Sequence, residues 1–234
     1  MTAEQGPANP SRKPPKKPLR DALGAYPTGY PAPVDRVIDE LGSLPGIGRR
    51  SAERMALYLL KSPEDKVNAL ASAIADLKRT VRNCRVCYNL TDTDLCAVCA
   101  NESRERHCVL VVEQPRDVLA LETTGVYKGL YHVLLGRLSP LDNVGPGDLT
   151  IPALLDRLRD AAHNAGAVPI REVILGLNPT LEGDGTALYL AEQLKRFKSL
   201  KVNRLARGLP TGTQLEHANK AILADAIQGR RAME

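Results

Sequence analysis

The sequence predicts an α/β protein: a mostly parallel sheet with covering helices, preceded by a helical hairpin and a small four-cysteine knuckle. Three observations predict it. From Cys108 onward, short apolar runs rich in β-branched residues alternate with helical patterns, the signature of β-α-β units. Ahead of them stand two Cys-x-x-Cys pairs, Cys84/Cys87 and Cys96/Cys99. Further upstream, Pro45-Gly46-Ile47-Gly48 cuts an amphipathic helical pattern in two. A length of 234 residues leaves room for one main domain with small modules attached.

Residues 1–33 hold eight of the 17 prolines, interleaved with Lys and Arg. Too little apolar surface exists there to offset the entropy of ordering, so the stretch is expected to be a disordered Pro/Lys-rich extension. From Val34 the residues Val34, Val37, Ile38, Leu41 and Leu44 share one helical face. After the glycine hairpin, Ala52, Met55, Ala56, Leu59 and Leu60 do the same, and Ser62-Pro63 ends that run. A third helix is expected over about Pro63–Thr80, using Val67, Leu70, Ala71, Ile74 and Leu77. Strands are expected at Val109–Val112, Tyr131–Leu135, Glu172–Leu177 and Val202–Ala206. Helices are expected at Gln114–Thr123, Ile151–Asn164 and Thr186–Lys198. The resulting division is an extension over 1–33, a hairpin over 34–80, a knuckle over 81–106 with its ligands within 84–99, an α/β domain over 107–207 and a C-terminal arm over 208–234.

The net charge is +5, but its distribution says more. Residues 1–20 sum to +4 and residues 192–234 to +5, whereas residues 107–191 sum to −4. Basic ends suit a polyanionic partner, and equally a solvated charged surface. Aromatics are 3%, with no Trp and one Phe, which argues against a single-strand binder built on stacking platforms. No apolar run approaches the ~20 residues of a membrane helix, and the N-terminus lacks the apolar core of a signal peptide. The expected location is the cytoplasm.

Each Cys-x-x-Cys can turn two sulfurs toward one point, and four thiolates satisfy a tetrahedral Zn²⁺. Cys84, Cys87, Cys96 and Cys99 are therefore the expected ligands of one structural zinc per chain, whose binding supplies the folding energy of a loop too small to own a core. A redox dithiol needs only one pair, and an iron–sulfur cluster is the rarer alternative. Cys108 reads as a buried small hydrophobe, and His107 as a weak further ligand candidate. In the hairpin, Gly46 and Gly48 leave backbone N–H groups open at a helix N-terminus, an arrangement suited to a DNA phosphate. Arg49 adjoins them, and Arg50 and Arg54, four apart, share a helix face. A plain helical turn explains the glycines alone; the arginines that follow favour DNA. The third constellation is acidic: Glu113, Asp117, Glu182 and Asp184 fall at the ends of strands, with Glu182-Gly183-Asp184 expected in a loop. Such residues could hold a hard cation, but acidic loop residues are common, and on the residues alone a solvated loop is the better reading.

In this order the motifs resemble the bacterial recombination mediator family RecR. The resemblance runs from about Val34 to Arg231. It rests on Leu44-Pro-Gly-Ile-Gly48, the four cysteines, Val111-Val-Glu-Gln-Pro-Arg-Asp117, Gly136-Arg-Leu-Ser-Pro-Leu-Asp142, Asn178-Pro-Thr-Leu-Glu-Gly-Asp184 and Gly208-Leu-Pro-Thr-Gly212 with Leu215-Glu216. It implies a helix-hairpin-helix, a zinc finger and a Toprim domain, with a C-terminal arm involved in assembly. It further implies a homo-oligomer, a dimer or a tetrameric ring, that binds double-stranded and gapped DNA. Such an assembly acts with RecO, and in some lineages RecF, to help load RecA outside the RecBC route, associated with the nucleoid. RecR-like proteins are not known as enzymes, which leaves the acidic set to a partner protein or a weakly held Mg²⁺. The competing expectation is a Mg²⁺-dependent Toprim nuclease or a related DNA-processing enzyme. The chain departs from the family pattern in its first 33 residues, and at Asn219 and Ala221, where the family tends to show Asp and Thr.

Overall fold

The computed structural model describes residues 30–230; the extension expected over 1–33 lies outside them up to residue 29. The chain divides into two compact units within one helix, the first ending at Ala75 and the second starting at Asp76. Helices α1 (Ala32–Gly42) and α2 (Arg49–Lys61) form the hairpin, and α3 (Glu64–Thr80) follows. Helix α1 starts at Ala32, two residues before the apolar pattern, because Pro33 sits in the first turn, where its missing N–H breaks no helical bond. Ile38 packs against Ala52 and Ala56, whose small side chains, one turn apart, let the helices approach closely. The seam is narrower than the sequence pattern: Met55 and Leu60 are exposed, as are Leu70, Ile74 and Leu77 of α3, which has no buried residue.

The second unit opens with a two-residue ladder, β1 (Arg82–Asn83) against β2 (Leu90–Thr91), and a single turn, α4 (Ala97–Ala100). Then come β3 (Glu105–Val112), α5 (Pro115–Glu122), β4 (Gly129–Val133), α6 (Ile151–Arg159), β5 (Glu172–Leu175), α7 (Leu181–Leu194), β6 (Lys201–Arg204) and α8 (Lys220–Gln228). The strand order is β4-β3-β5-β6, and every pair is parallel. Along β3, successive side chains serve opposite faces. Val109 and Val111 join Leu154 and Leu155 of α6 and Leu190 and Leu194 of α7, whereas Leu110 and Val112 join Val118 of α5 and Tyr131. Both faces are covered, as an all-parallel sheet requires.

Several boundaries differ from the sequence reading for identifiable reasons. Strand β3 begins at Glu105, because Glu105-Arg106-His107 are too polar to register as a buried strand. Strand β4 ends at Val133, since Leu135 takes a left-handed φ of 63°. Helix α6 stops at Arg159: Asp160 leaves the helical region, and its carboxylate accepts from Ala162 N at 2.9 Å to start a separate short turn. Helix α7 begins at Leu181, not Thr186. Thr180 caps it by accepting from Gly183 N at 3.1 Å, so Glu182-Gly183-Asp184 forms its first turn and not a loop. Two glycines, at 183 and 185, hide that turn from a propensity reading. Asn219 caps α8, accepting from Ile222 N at 2.9 Å. Asp could do the same there, so the departure from the family pattern leaves the helix start intact. No helix of the described residues is long and apolar enough to cross a membrane.

A polar brace crosses the buried end of this domain. His132, on β4, is fully buried. Its Nδ1 lies 3.1 Å from Arg157 Nη1. Arg157 can only donate, so Nδ1 is the acceptor and the ring proton sits on Nε2. Nε2–H then donates to Thr150, whose carbonyl and hydroxyl oxygens lie at 3.1 and 3.0 Å. Burial, and then the neighbouring Arg157 charge, push the His132 pKa down to about 3 from 6.5. The unfolded chain therefore takes up a proton here, between those two values, that the native state refuses. Stability is present above pH 6.5 and falls as pH drops toward 3, by up to about 1.4 kcal/mol per pH unit from this group. His132→Gln keeps an acceptor and a donor but cannot titrate. Urea unfolding across that window is expected to show a shallower pH slope in the variant; equal slopes would show that the native imidazole is charged.

Candidate metal centre and nucleic-acid interface

The β1–β2 ladder returns the chain on itself so that Cys84 N donates to Asn89 O at 2.7 Å and Tyr88 N to Cys84 O at 3.0 Å. Tyr88 takes a φ of 63°, a conformation that costs a non-glycine residue roughly 1–2 kcal/mol. Its ring packs edge-on against His132, with centroids 5.6 Å apart. The second pair straddles the start of α4: Cys96 precedes the helix and Cys99 lies one turn on. All four cysteines are buried, and their sulfurs lie within 4.8 Å of one another. Cys87 Sγ and Cys96 Sγ are 3.4 Å apart. A zinc ion with Zn–S bonds of about 2.3 Å spaces its sulfurs by about 3.8 Å, so the set fits a tetrahedral metal.

The sulfurs also compete for protons. Bonding from Cys87 holds the Cys84 thiol far down, while bonding from Cys84 and the burial push Cys87 and Cys99 far up. Only a cation lets all four ionise. The knuckle is not an isolated module, because its cysteines share one core with Val109, Leu130, Ile151 and Leu154. His107 is exposed and outside the cluster. Cys108 is buried in β3, where Tyr127 Oη donates to its sulfur at 3.7 Å.

In the first unit, Gly46 turns the chain with a φ of +82°, and Gly48 stands before α2 with no side chain to cap it. Neither glycine has a neighbour among the described residues within 4 Å of where a Cβ would be. Among the described residues, the N–H groups of Gly48, Arg49 and Arg50 find no acceptor; the first helical bonds run from Ser51 and Ala52 to Gly48 O. Arg49, Arg50 and Arg54 are all exposed. Arg49 lies 3.9 Å from Asp39, whereas Arg50 and Arg54 have no protein partner among the described residues. The result is an open positive end of a 13-residue helix with two uncommitted guanidinium groups beside it.

The acidic residues gather at the carboxyl ends of the strands, but the chain itself answers most of their charge. Glu113 directly follows β3 and is 2% exposed. Its Oε1 accepts from Asn178 N at 2.8 Å, and its Oε2 faces Arg137 at 3.9 Å. Arg137 also faces Glu182, again at 3.9 Å. Leu138 N donates to Thr186 Oγ1 at 2.9 Å, tying the loop of Arg137 to α7. Asp117 accepts from Gln114 N at 2.8 Å and caps α5. Asp184 is gripped by Arg204 and by Arg207, whose Nη1 lies at 3.1 Å. Sequence reasoning gave no role to Arg204 and Arg207, which no local pattern marks, nor to Arg137, which it met only within the Gly136–Asp142 motif. Beside them, a groove of ≈ 510 Å³ runs along Asp117, Gly176, Asn178, Arg207 and Asp225.

A helical hairpin with an open positive helix end, a four-sulfur centre and a parallel α/β domain with strand-end acids make up a modular protein of the kind that handles nucleic acid. Family models agree segment by segment. Residues 34–78 match the RecR helix-hairpin-helix, residues 81–101 the RecR four-cysteine zinc finger domain, and residues 107–206 the Toprim domain. Among curated relatives, the recombination protein RecR of Rhodopirellula baltica is 48% identical over 206 residues, covering 88% of this chain and all of the relative. The RecR of Carboxydothermus hydrogenoformans is 45% identical over 205 residues, 88% of this chain and 99% of its own. That of Roseiflexus sp. RS-1 is 48% identical, covering 87% and 95%. The chain belongs to the RecR family.

The first turn of α7 depends on a missing side chain. A Cβ on Gly183 would stand 2.1 Å from Asn178 O and 2.9 Å from Glu113 Oε1. A backbone oxygen cannot step aside as a flexible side chain can. Gly183→Ala is therefore expected to lower stability by about 1–3 kcal/mol, even though alanine favours helix. Urea unfolding with an unchanged m-value checks this; a variant as stable as wild type would show that the turn can shift without cost.

Proposed function

We propose that this chain is a non-enzymatic, DNA-binding mediator of recombinational repair. In this reading it assembles into a homo-oligomer on double-stranded and gapped DNA. It acts with RecO-like, and in some lineages RecF-like, proteins to help load RecA outside the RecBC route. It works in the cytoplasm, at the nucleoid. The observation that carries the reading is the open α2 N-terminus with Arg50 and Arg54 uncommitted, in the segment matching the RecR helix-hairpin-helix. The exposed row Leu70, Ile74 and Leu77 on α3 supports self-association. The pairing of Glu113, Glu182 and Asp184 with arginines supports a role without bond cleavage. A carboxylate already neutralised by a guanidinium is poorly placed to take a catalytic cation, so these residues, with Asp117, serve a partner surface or at most a weakly held Mg²⁺.

The DNA contacts are phosphate contacts, which position without reading sequence. Double substitution Arg50→Ala, Arg54→Ala is expected to weaken binding to all sequences alike. The slope of log affinity against log salt should flatten by about 2 per bound chain. Fluorescence anisotropy over a salt series measures both. If the double variant binds with the wild-type slope, the hairpin serves the fold only.

Cys84, Cys87, Cys96 and Cys99 are proposed to hold one structural zinc per chain, in keeping with the four-cysteine zinc finger match. Elemental analysis of the purified protein is expected to give one zinc per chain. Cys84→Ala should lose it and melt well below wild type, because the cysteines sit in the core of the α/β domain. Wild-type protein purified under reducing conditions with no bound metal would sink this assignment.

A further inference from the structure

Arg157 poses an electrostatic problem that its immediate partners do not solve. It lies on α6 and is 2% exposed. Its guanidinium donates to Tyr131 O at 2.9 Å, His132 Nδ1 at 3.1 Å and Asn164 Oδ1 at 2.8 Å. All three acceptors are neutral, and His132 is held neutral by its burial. Arg157 Nε has no partner among the described residues. Among the described residues no carboxylate pairs with this arginine. A buried cation left with dipoles alone costs several kcal/mol, so an anion is to be looked for nearby.

The knuckle is where one would be. Burial pushes the Arg157 pKa down, a cost that a nearby negative charge would offset. The packing agrees. Val133 N, next to His132, donates to Cys87 O at 2.8 Å. Tyr88, next to Cys87, lays its ring against that of His132. All four cysteines share a core cluster with Leu154 and Leu155, the neighbours of Arg157 on α6. Knuckle, β4 and α6 thus form one packed block. A zinc ion with four thiolates carries a net charge of about −2, and here it would be buried, with Arg157 the only buried Lys or Arg among the described residues. One site lacks an anion and the other lacks a cation.

We propose that Arg157 is the buried counter-cation of the metal-bound knuckle, so that the α/β domain supplies the charge its four-cysteine module lacks. His132 and Asn164 are positioning residues: they fix the guanidinium plane from either side. Metal loading and the seating of the knuckle on β4 are then coupled through one side chain 58 residues beyond the last ligand. The inference rests on the reading of the cysteines as zinc ligands.

The test is chelator competition on the full chain, read as the fraction of zinc retained, with thermal unfolding in parallel. Wild type is measured first. If it holds no zinc, the ligand assignment itself fails. With zinc present in wild type, Arg157→Met is expected to weaken zinc binding about 10–100-fold, the range typical of groups that support metal ligands. Arg157→Lys, which keeps the charge and loses the fork of hydrogen bonds, should melt lower yet hold zinc much as wild type does. Asn164→Leu, which removes a guanidinium partner but no charge, should behave like Arg157→Lys. Equal zinc retention by Arg157→Met and wild type overturns the proposal, and so does parallel weakening in all three variants. Should Arg157→Met not fold, Arg157→Lys decides: retention near wild type supports the counter-charge, and loss of zinc overturns it.

Discussion

Strand β4 lies at the edge of a parallel sheet and is buried along its whole length. That combination constrains most of the second unit. An edge strand in water can leave its outward N–H and C=O groups to solvent, but a buried one cannot. Each orphan would cost about 1–3 kcal/mol, and three of them would rival the roughly 5–15 kcal/mol by which a domain is typically stable. The groups that β3 does not take are met one by one. Tyr131 O accepts from Arg157, Val133 N donates to Cys87 O, and Val133 O accepts from Thr150 Oγ1 at 2.7 Å. One of these partners is the knuckle and two come from the α6 segment. The knuckle therefore acts as the missing neighbour of β4 as well as a candidate metal centre. A loop of its length, with no core of its own, keeps its place because the sheet needs it there.

Much of this was legible in the sequence, and the part that was not shares a physical cause. The β-branched runs at Val109–Val112 and Glu172–Leu175 sit on buried strands because both faces of a parallel sheet need apolar residues. The Cys-x-x-Cys spacing placed four sulfurs together because local chain geometry nearly suffices to do so. The hairpin glycines marked a turn that only a positive φ at Gly46 closes. What stayed hidden depends on long-range partners. The start of α7 is set by Thr180 and by the turn at Asn178, whose N–H donates to Glu113, 65 residues away in sequence. Arg157 reads as one more charged residue in the last turn of an amphipathic helix. Its burial follows from β4, which no window around residue 157 contains.

The acidic set teaches the same lesson in reverse. Residue type and strand-end position were both readable, and together they suggested a cation site. The structure supplies cations of its own. Arg137 reaches between Glu113 and Glu182, while Arg204 and Arg207 close on Asp184. The arginines of this second group come from β6 and just beyond it, within the basic C-terminal segment whose charge the sequence showed only as a sum. Part of that positive charge is thus used inside the fold, not offered to a partner.

This internal pairing decides which residues remain free to act outward. A charge met by an opposite charge at contact distance contributes little field a Debye length away, about 8 Å at physiological ionic strength. Glu113 is buried and bonded, and Asp184 is matched, so neither projects much beyond the domain. Arg50 and Arg54 are the opposite case: exposed and, among the described residues, unpaired, beside a helix end whose own N–H groups find no acceptor there. Summed charge would have ranked the C-terminal segment, at +5, as the stronger magnet for nucleic acid. Lys195, Lys201, Arg204 and Arg207 of that segment are committed to Glu192, Glu172 and Asp184, which narrows its lead over the hairpin, because a polyanion responds to the cations a protein has not already used.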